Sequence, residues 1–201
     1  MENKPTKADR TRQFIIETTA ALFNTKGYAG TSMSDITDAT GLTKGSIYGN
    51  FTNKEEVALA VFDHNLDIIL RAIREKVALA QSYHDKLMIY AKVYGNYNRA
   101  PFPQGGCPIL NTAVEADDTA GLLKERAAKA VIRWKRGIMN LIQGGMNTGE
   151  FNKNVDQERI AISMIALIEG GMMIAKVTDT PTVMDVMLRA VSALIDELES
   201  D

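Results

Sequence analysis

A chain of 201 residues can bury roughly 70% of the surface its unfolded form exposes, so a sizeable core is within reach. Hydrophobic residues at 45%, charged residues at 24% and five prolines describe a globular protein and exclude a disordered or fibrous one, and no apolar run reaches the roughly 18 residues of a membrane span. Net charge is −2, which argues against a nucleic-acid partner until its distribution is read: residues 1–54 hold seven Lys/Arg against five acids, a balance of +2 that leaves −4 for the remainder.

The opening "MENKPTKADRTRQ" is polar and lacks the apolar stretch of a secretory signal, and a single cysteine, Cys107, excludes an intramolecular disulfide. A cytoplasmic location is expected. Beyond the opening, apolar residues recur at three and four, which predicts an all-α chain. A first helix over 9–25 stops at Gly27. In "TSMSDITDATG", Ser32 reads as an N-cap with Asp35 three residues later, and Gly41 ends that short helix. Thr43 caps a third helix ending near Asn50. Asn53 and Glu56 repeat the capping logic for a long helix to about residue 80.

Further helices are expected over 85–99, 108–116 after the loop "APFPQGGCP", 121–147, 157–177 after the break "NTGEFNKNVD", and 182–199. About nine helices result. The expected division is a three-helix helix-turn-helix domain over 1–54 and a larger helical domain over 55–201.

A major groove about 12 Å wide accepts one α-helix with small and polar side chains on its outer face. Residues 43–50 suit it. Leu42 and Ile47 anchor inward, leaving Thr43, Lys44, Ser46, Tyr48 and Asn50 for backbone or bases, with Gly41 supplying the tight turn. Lys4, Lys7, Arg10 and Arg12 make a basic arm, either tracking DNA or a solvated tail. Helix-turn-helix geometry also occurs in helical domains that bind no DNA, so the spacing alone leaves both readings open.

The stretch "RQFIIETTAALFNTKGYAGTSMSDITDATGLTKGSIYGNFTNKEEVALAVF" carries "A.LF...GY..TS" and "DI...TGLTKGSIY.NF.NKEE" in order. It resembles the N-terminal DNA-binding domain of the TetR/AcrR family of bacterial transcriptional regulators, and covers about a quarter of the chain. "NTGEFNKNVDQERIA" and "GGCPILNTAVEADD" are similar to segments of the family's variable second domain. The resemblance implies that 43–50 is the recognition helix, with Thr43, Lys44, Gly45, Ser46, Tyr48 and Asn50 as candidate DNA contacts. It also implies phosphate contacts at Thr31, Ser32, Tyr48 and Lys54. Gly49 and Asn50 depart from the bulky pair common at those positions, so no operator sequence is carried over.

The family implies a ligand-responsive regulator, a repressor in this reading, which binds a palindromic operator on double-stranded DNA as a homodimer and is released by a small-molecule effector. Its dimer is a four-helix bundle from the last two helices of each chain. Met164, Ile168, Met172, Met187, Val191, Leu194, Ile195 and Leu198 keep the 3–4 spacing such a seam needs. The same spacing suits two helices closing the subunit's own core. For a ligand cavity the candidates are Tyr90, Tyr94, Tyr97, Phe102, Cys107, Leu110, Asn111, Trp134, Ile138, Met164, Glu169 and Met173, since methionine and aromatic side chains accept varied shapes.

Cys107 precedes Pro108 at a helix start, which permits redox sensing beside the plainer reading of a small buried residue. Two histidines, His64 and His84, one cysteine and no phosphate loop leave no nucleophile–base pair or metal cluster visible. No enzyme activity, cofactor, metal or membrane partner is expected. The alternative to a DNA-binding regulator is a helical dimeric module that binds a ligand or protein and has lost DNA.

Overall fold

Capping chemistry sets most of the helix starts. The Asp9 amide donates to Thr6 Oγ1 at 3.1 Å and the Thr6 amide to Asp9 Oδ2 at 2.9 Å, a capping box that opens α1 (Lys7–Gly30). Gly27, at φ +76°, breaks α1 near its end. Ser32 and Asp35 form a second box for α2 (Met33–Thr40), closed by left-handed Gly41 at φ +68°, whose N–H donates to the Thr37 carbonyl at 2.8 Å. Thr43 caps α3 (Lys44–Tyr48). At α4 (Lys54–Leu79), Asn53 Oδ1 accepts the Glu56 amide at 2.8 Å, and the Glu56 carboxylate accepts the Thr52 amide at 2.7 Å.

The remaining helices are α5 (Tyr83–Gly95), α6 (Pro108–Ala116), α7 (Gly121–Thr148), α8 (Gln157–Val177) and α9 (Val183–Asp196). The computed structural model describes residues 4–116 and 121–199; Asp117 and Asp118, the end of one family-like segment, lie outside them. Among the described residues the chain is all-helical with nine helices and one isolated β-bridge, Phe151 to Glu199.

Three expectations shift. The Thr6 cap starts α1 at Lys7, so Lys7, Arg10 and Arg12 are helical rather than an arm. Ser82 Oγ accepts the Asp85 amide and starts α5 earlier than residue 85; past Gly95 the amides of Tyr97 and Arg99 bond three residues back, so tight turns replace the expected helix to 99. Finally, α9 ends at Asp196 because residues beyond it pair with the segment after α7: the Asn152 amide donates to the Leu198 carbonyl at 2.8 Å.

The chain forms two compact units, Met1–Ile68 with Pro103–Ala128, and Ile69–Phe102 with Lys129–Asp201. In the first, Ile15, Ile16, Ala20 and Phe23 of α1 pack with Ile36, Ile47, Phe51, Val57, Ala58, Val61 and Leu123. In the second, α5, α8 and α9 pack on one another. Gly144 and Gly145 lie against the rings of Tyr83 and Phe151, where a Cβ would collide; close packing explains that pair.

The apolar stripes of α8 and α9 fill this second core. Met164, Ile168, Met172, Val191 and Ile195 are fully buried, and Met187, Leu194 and Leu198 nearly so. They are therefore corrected from partner-facing to core residues, because the 3–4 pattern is spent inside the subunit. Another set of α8 side chains, Ile162, Met173, Ile174 and Val177, is exposed, as is Val186 of α9. With apolar residues on more than one face, α8 is long and apolar enough by length and composition to cross a bilayer, a correction to the reading of the sequence; its buried residues belong to the core just described.

Candidate nucleic-acid interface

Ile47 is the buried residue of α3 and fixes that helix on the first unit's core. Around it, Thr43, Lys44, Gly45 and Tyr48 are exposed, Tyr48 to 49%, while Ser46 and Asn50 are half-buried. A Cβ on Gly45 would meet nothing closer than Thr43 Oγ1 at 3.9 Å, so the fold itself does not require glycine there. Glycine inside a helix costs about 1 kcal/mol relative to alanine. A flat, side-chain-free spot on an exposed helix suits close approach by another backbone.

The far end of α3 is held by Arg12. Its guanidinium donates to the Asn50 carbonyl at 2.6 Å, pairs with Glu56 at 2.9 Å and lies 3.9 Å over the Phe51 ring. Arg12 is thus a positioning residue, and only partners 38 or more positions away reveal it. Asn50 turns its amide inward, donating to the Ser46 carbonyl at 2.9 Å, so its Nδ2 is engaged by α3 rather than by a base.

At the start of α2 the expected phosphate contacts are also rearranged. Thr31 is fully buried and donates its hydroxyl to the Gly27 carbonyl at 2.6 Å, which withdraws its side chain from any phosphate. Ser32 is exposed, yet its amide and hydroxyl both donate to Asp35 Oδ2 at 2.8 Å. Lys54 Nζ donates to the carbonyls of Tyr28 and Thr31 at 2.8 Å each and sits 4.2 Å over the Tyr28 ring. It ties α4 to the entry of α2 instead of standing ready for DNA.

Two carboxylates stiffen this surface. The Lys26 ammonium, 2.7 Å from Asp35, together with the Ser32 amide and hydroxyl, holds the Asp35 carboxyl far below the usual carboxylate range. The Thr52 amide, with Arg12 adding less, lowers the Glu56 carboxyl. Desolvation, with Glu55 adding to it, pushes the Tyr28 hydroxyl up.

A second tie joins α6 to α1. Glu115 accepts the amides of Tyr28 at 2.7 Å and Ala29 at 2.6 Å, just past the Gly27 break. Asn24 Nδ2 donates to the carbonyls of Gln104 and Gly106, and Asn111 Nδ2 donates to the Asn24 and Gly105 carbonyls and to Asn24 Oδ1. Asn111 is therefore corrected from cavity lining to a structural tie. Cys107, in the loop just before α6, is fully buried, and Leu110, next to Asn111, is half-buried; these three belong to the first unit. No local pattern in the sequence marks Glu115, whose partners lie 86 and 87 residues away.

The other cavity candidates belong to the second unit. Tyr94 stacks on Trp134 with centroids 4.8 Å apart and takes Phe102 edge-on at 5.4 Å. Trp134 is buried, and its Nε1 has no hydrogen-bond partner among the described residues. Tyr90 and Tyr97 are half-buried; burial, opposed by Arg133, pushes the Tyr90 hydroxyl up. Glu169 is half-buried. Ile138 and Met164 are core, and Met173, 50% exposed, stands on the surface of α8 rather than in a cavity.

Two family models match: bacterial regulatory proteins, tetR family, over residues 15–61, and tetracyclin repressor-like, C-terminal domain, over residues 84–191. Among curated relatives, the probable acrEF/envCD operon repressor of Escherichia coli is 45% identical over 181 residues, covering 83% of this chain and 77% of that protein. The HTH-type transcriptional regulator TtgR of Pseudomonas putida is 26% identical over 171 residues, 82% of this chain and 79% of its own. Among solved structures, a TetR-family transcriptional regulator from Cytophaga hutchinsonii superposes with a TM-score of 0.95 at 44% identity, covering 99% of this chain and 100% of that one.

Proposed function

Since the chain belongs to the tetR family of bacterial regulatory proteins, DNA-binding transcriptional regulators rather than enzymes, we propose that it is a repressor reading a palindromic operator as a homodimer and released by a small-molecule effector. The observation that carries the reading is the exposed face of Thr43, Lys44, Gly45 and Tyr48 on a helix anchored by Ile47 and braced by Arg12. In this proposal residues 1–54 bind DNA and residues 55–201 bind effector and partner. Ser46 and Asn50 flank the reading face with their remaining polar atoms, and Ser32 lies at its edge.

One short helix per chain reads few base pairs, so two must enter grooves about 34–36 Å apart or a multiple of that. The exposed apolar side chains Ile162, Met173, Ile174, Val177 and Val186 support a subunit interface on α8 and α9. Support for an effector comes from Trp134, whose buried indole N–H has no partner among the described residues: leaving such a group unpaired costs about 1–3 kcal/mol, and a ligand carrying a hydrogen-bond acceptor would offset that cost. Release follows only if the effector binds the DNA-competent and incompetent arrangements unequally.

The test is binding of purified protein to DNA from upstream of its own gene at two salt concentrations, beside a Lys44→Ala/Tyr48→Ala variant and a scrambled duplex. Tight, salt-dependent, selective binding that the variant loses is expected. Wild-type affinity in the double variant would remove α3 from the interface.

A further inference from the structure

We propose that the second unit carries a divalent-cation site formed by His84, Asp196 and Glu199. One ligand atom from each of the three lies within 4.8 Å of the other two. The cluster shares no residue with the DNA-reading face, and no spacing in the sequence announces His84 as its member, because that residue comes from the first turn of α5 while Asp196 is the last residue of α9 and Glu199 lies three residues beyond it.

The geometry fits borderline cations of the zinc class. With bonds of about 2.0–2.1 Å, neighbouring ligands of a tetrahedral ion stand about 3.3 Å apart. His84 Nε2 and Asp196 Oδ1 are 3.1 Å apart, already close to such an edge. Glu199 is exposed, so rotation of its side chain brings a carboxylate oxygen to the third corner, and water takes the fourth. One imidazole with two carboxylates selects zinc over magnesium or calcium, which prefer all-oxygen shells.

Backbone around the donors is fixed before any ion arrives. The Glu150 carboxylate accepts the amides of Tyr83 at 2.8 Å and His84 at 2.7 Å, setting the turn that presents the imidazole. Glu199 is held by its β-bridge to Phe151 and by Asn152 Nδ2, which donates to the Glu199 carbonyl at 3.3 Å. Asp196 closes α9 one turn away. Two carboxylates converging on one imidazole leave negative charge that a dication neutralises, and the ion would fasten the start of α5 to the end of α9.

The experiment titrates Zn²⁺ into chelator-stripped full-length protein by calorimetry and follows the thermal melt. One ion per chain with a raised melting temperature is expected, with affinity at least tenfold weaker in His84→Ala, Asp196→Asn and Glu199→Gln. His64→Ala and Cys107→Ser serve as controls and keep wild-type affinity. Both carboxylate variants alter exposed side chains, so they keep the test sharp if His84→Ala folds poorly. Absence of a stoichiometric site, or equal affinity in wild type and the carboxylate variants, overturns the proposal. Neither result depends on operator binding.

Discussion

Gly45 and Lys54 show how differently single residues serve this surface. Nothing in the fold fills the space beside Gly45, so Gly45→Ala is expected to raise stability by up to about 1 kcal/mol while weakening operator binding. Urea unfolding and a DNA titration on one preparation check this; undiminished affinity would mean the gap has no role at the DNA. Lys54 makes two charge-assisted bonds to carbonyls, and Lys54→Met is expected to cost about 2 kcal/mol in urea unfolding. An unchanged unfolding midpoint would return Lys54 to the set of direct phosphate ligands. The sequence places Lys54 correctly at the start of a helix but not its carbonyl partners, 23 and 26 residues away, so a basic residue near a DNA-reading motif looks like a phosphate ligand until its contacts are seen.

Among elements, the starts of α2, α3 and α4 and the Gly41 stop were legible because caps act over three or four residues, whereas the Thr6 and Ser82 caps that start α1 and α5 were missed. Ser32, Asp35, Thr43 and Asn53 all act as their spacing predicts. Ties between helices were not legible, since Glu115, Asn111 and Arg12 meet partners far along the chain. The caps also predict acid behaviour. Asp35 and Glu56 have folded pKa values below their unfolded ones, so their contribution is present above about pH 4 and lost as pH falls below it. In urea at fixed concentration, stability should decline below about pH 4, and less steeply in Asp35→Asn. Superimposable profiles for the two proteins would exclude Asp35 as a source of the acid response.

At the scale of the whole molecule, periodicity revealed apolar stripes on α8 and α9 without saying what covers them. Those with the most regular spacing were consumed by the subunit core, and the interface proposal passes to side chains such as Met173 and Ile162, which the same helix exposes. Met173→Glu is expected to yield a folded monomer with weakened operator binding, measured by sedimentation and by DNA titration. A dimer of wild-type affinity would place the interface elsewhere.

Trp134 is the chain's only tryptophan, and it belongs to the second unit, stacked on Tyr94. Light absorbed beyond the tyrosine edge therefore excites a single chromophore, and its emission reports on the second unit while the first stays dark. The native chain thus carries its own optical probe, able to follow that unit's unfolding or its response to small molecules without a label.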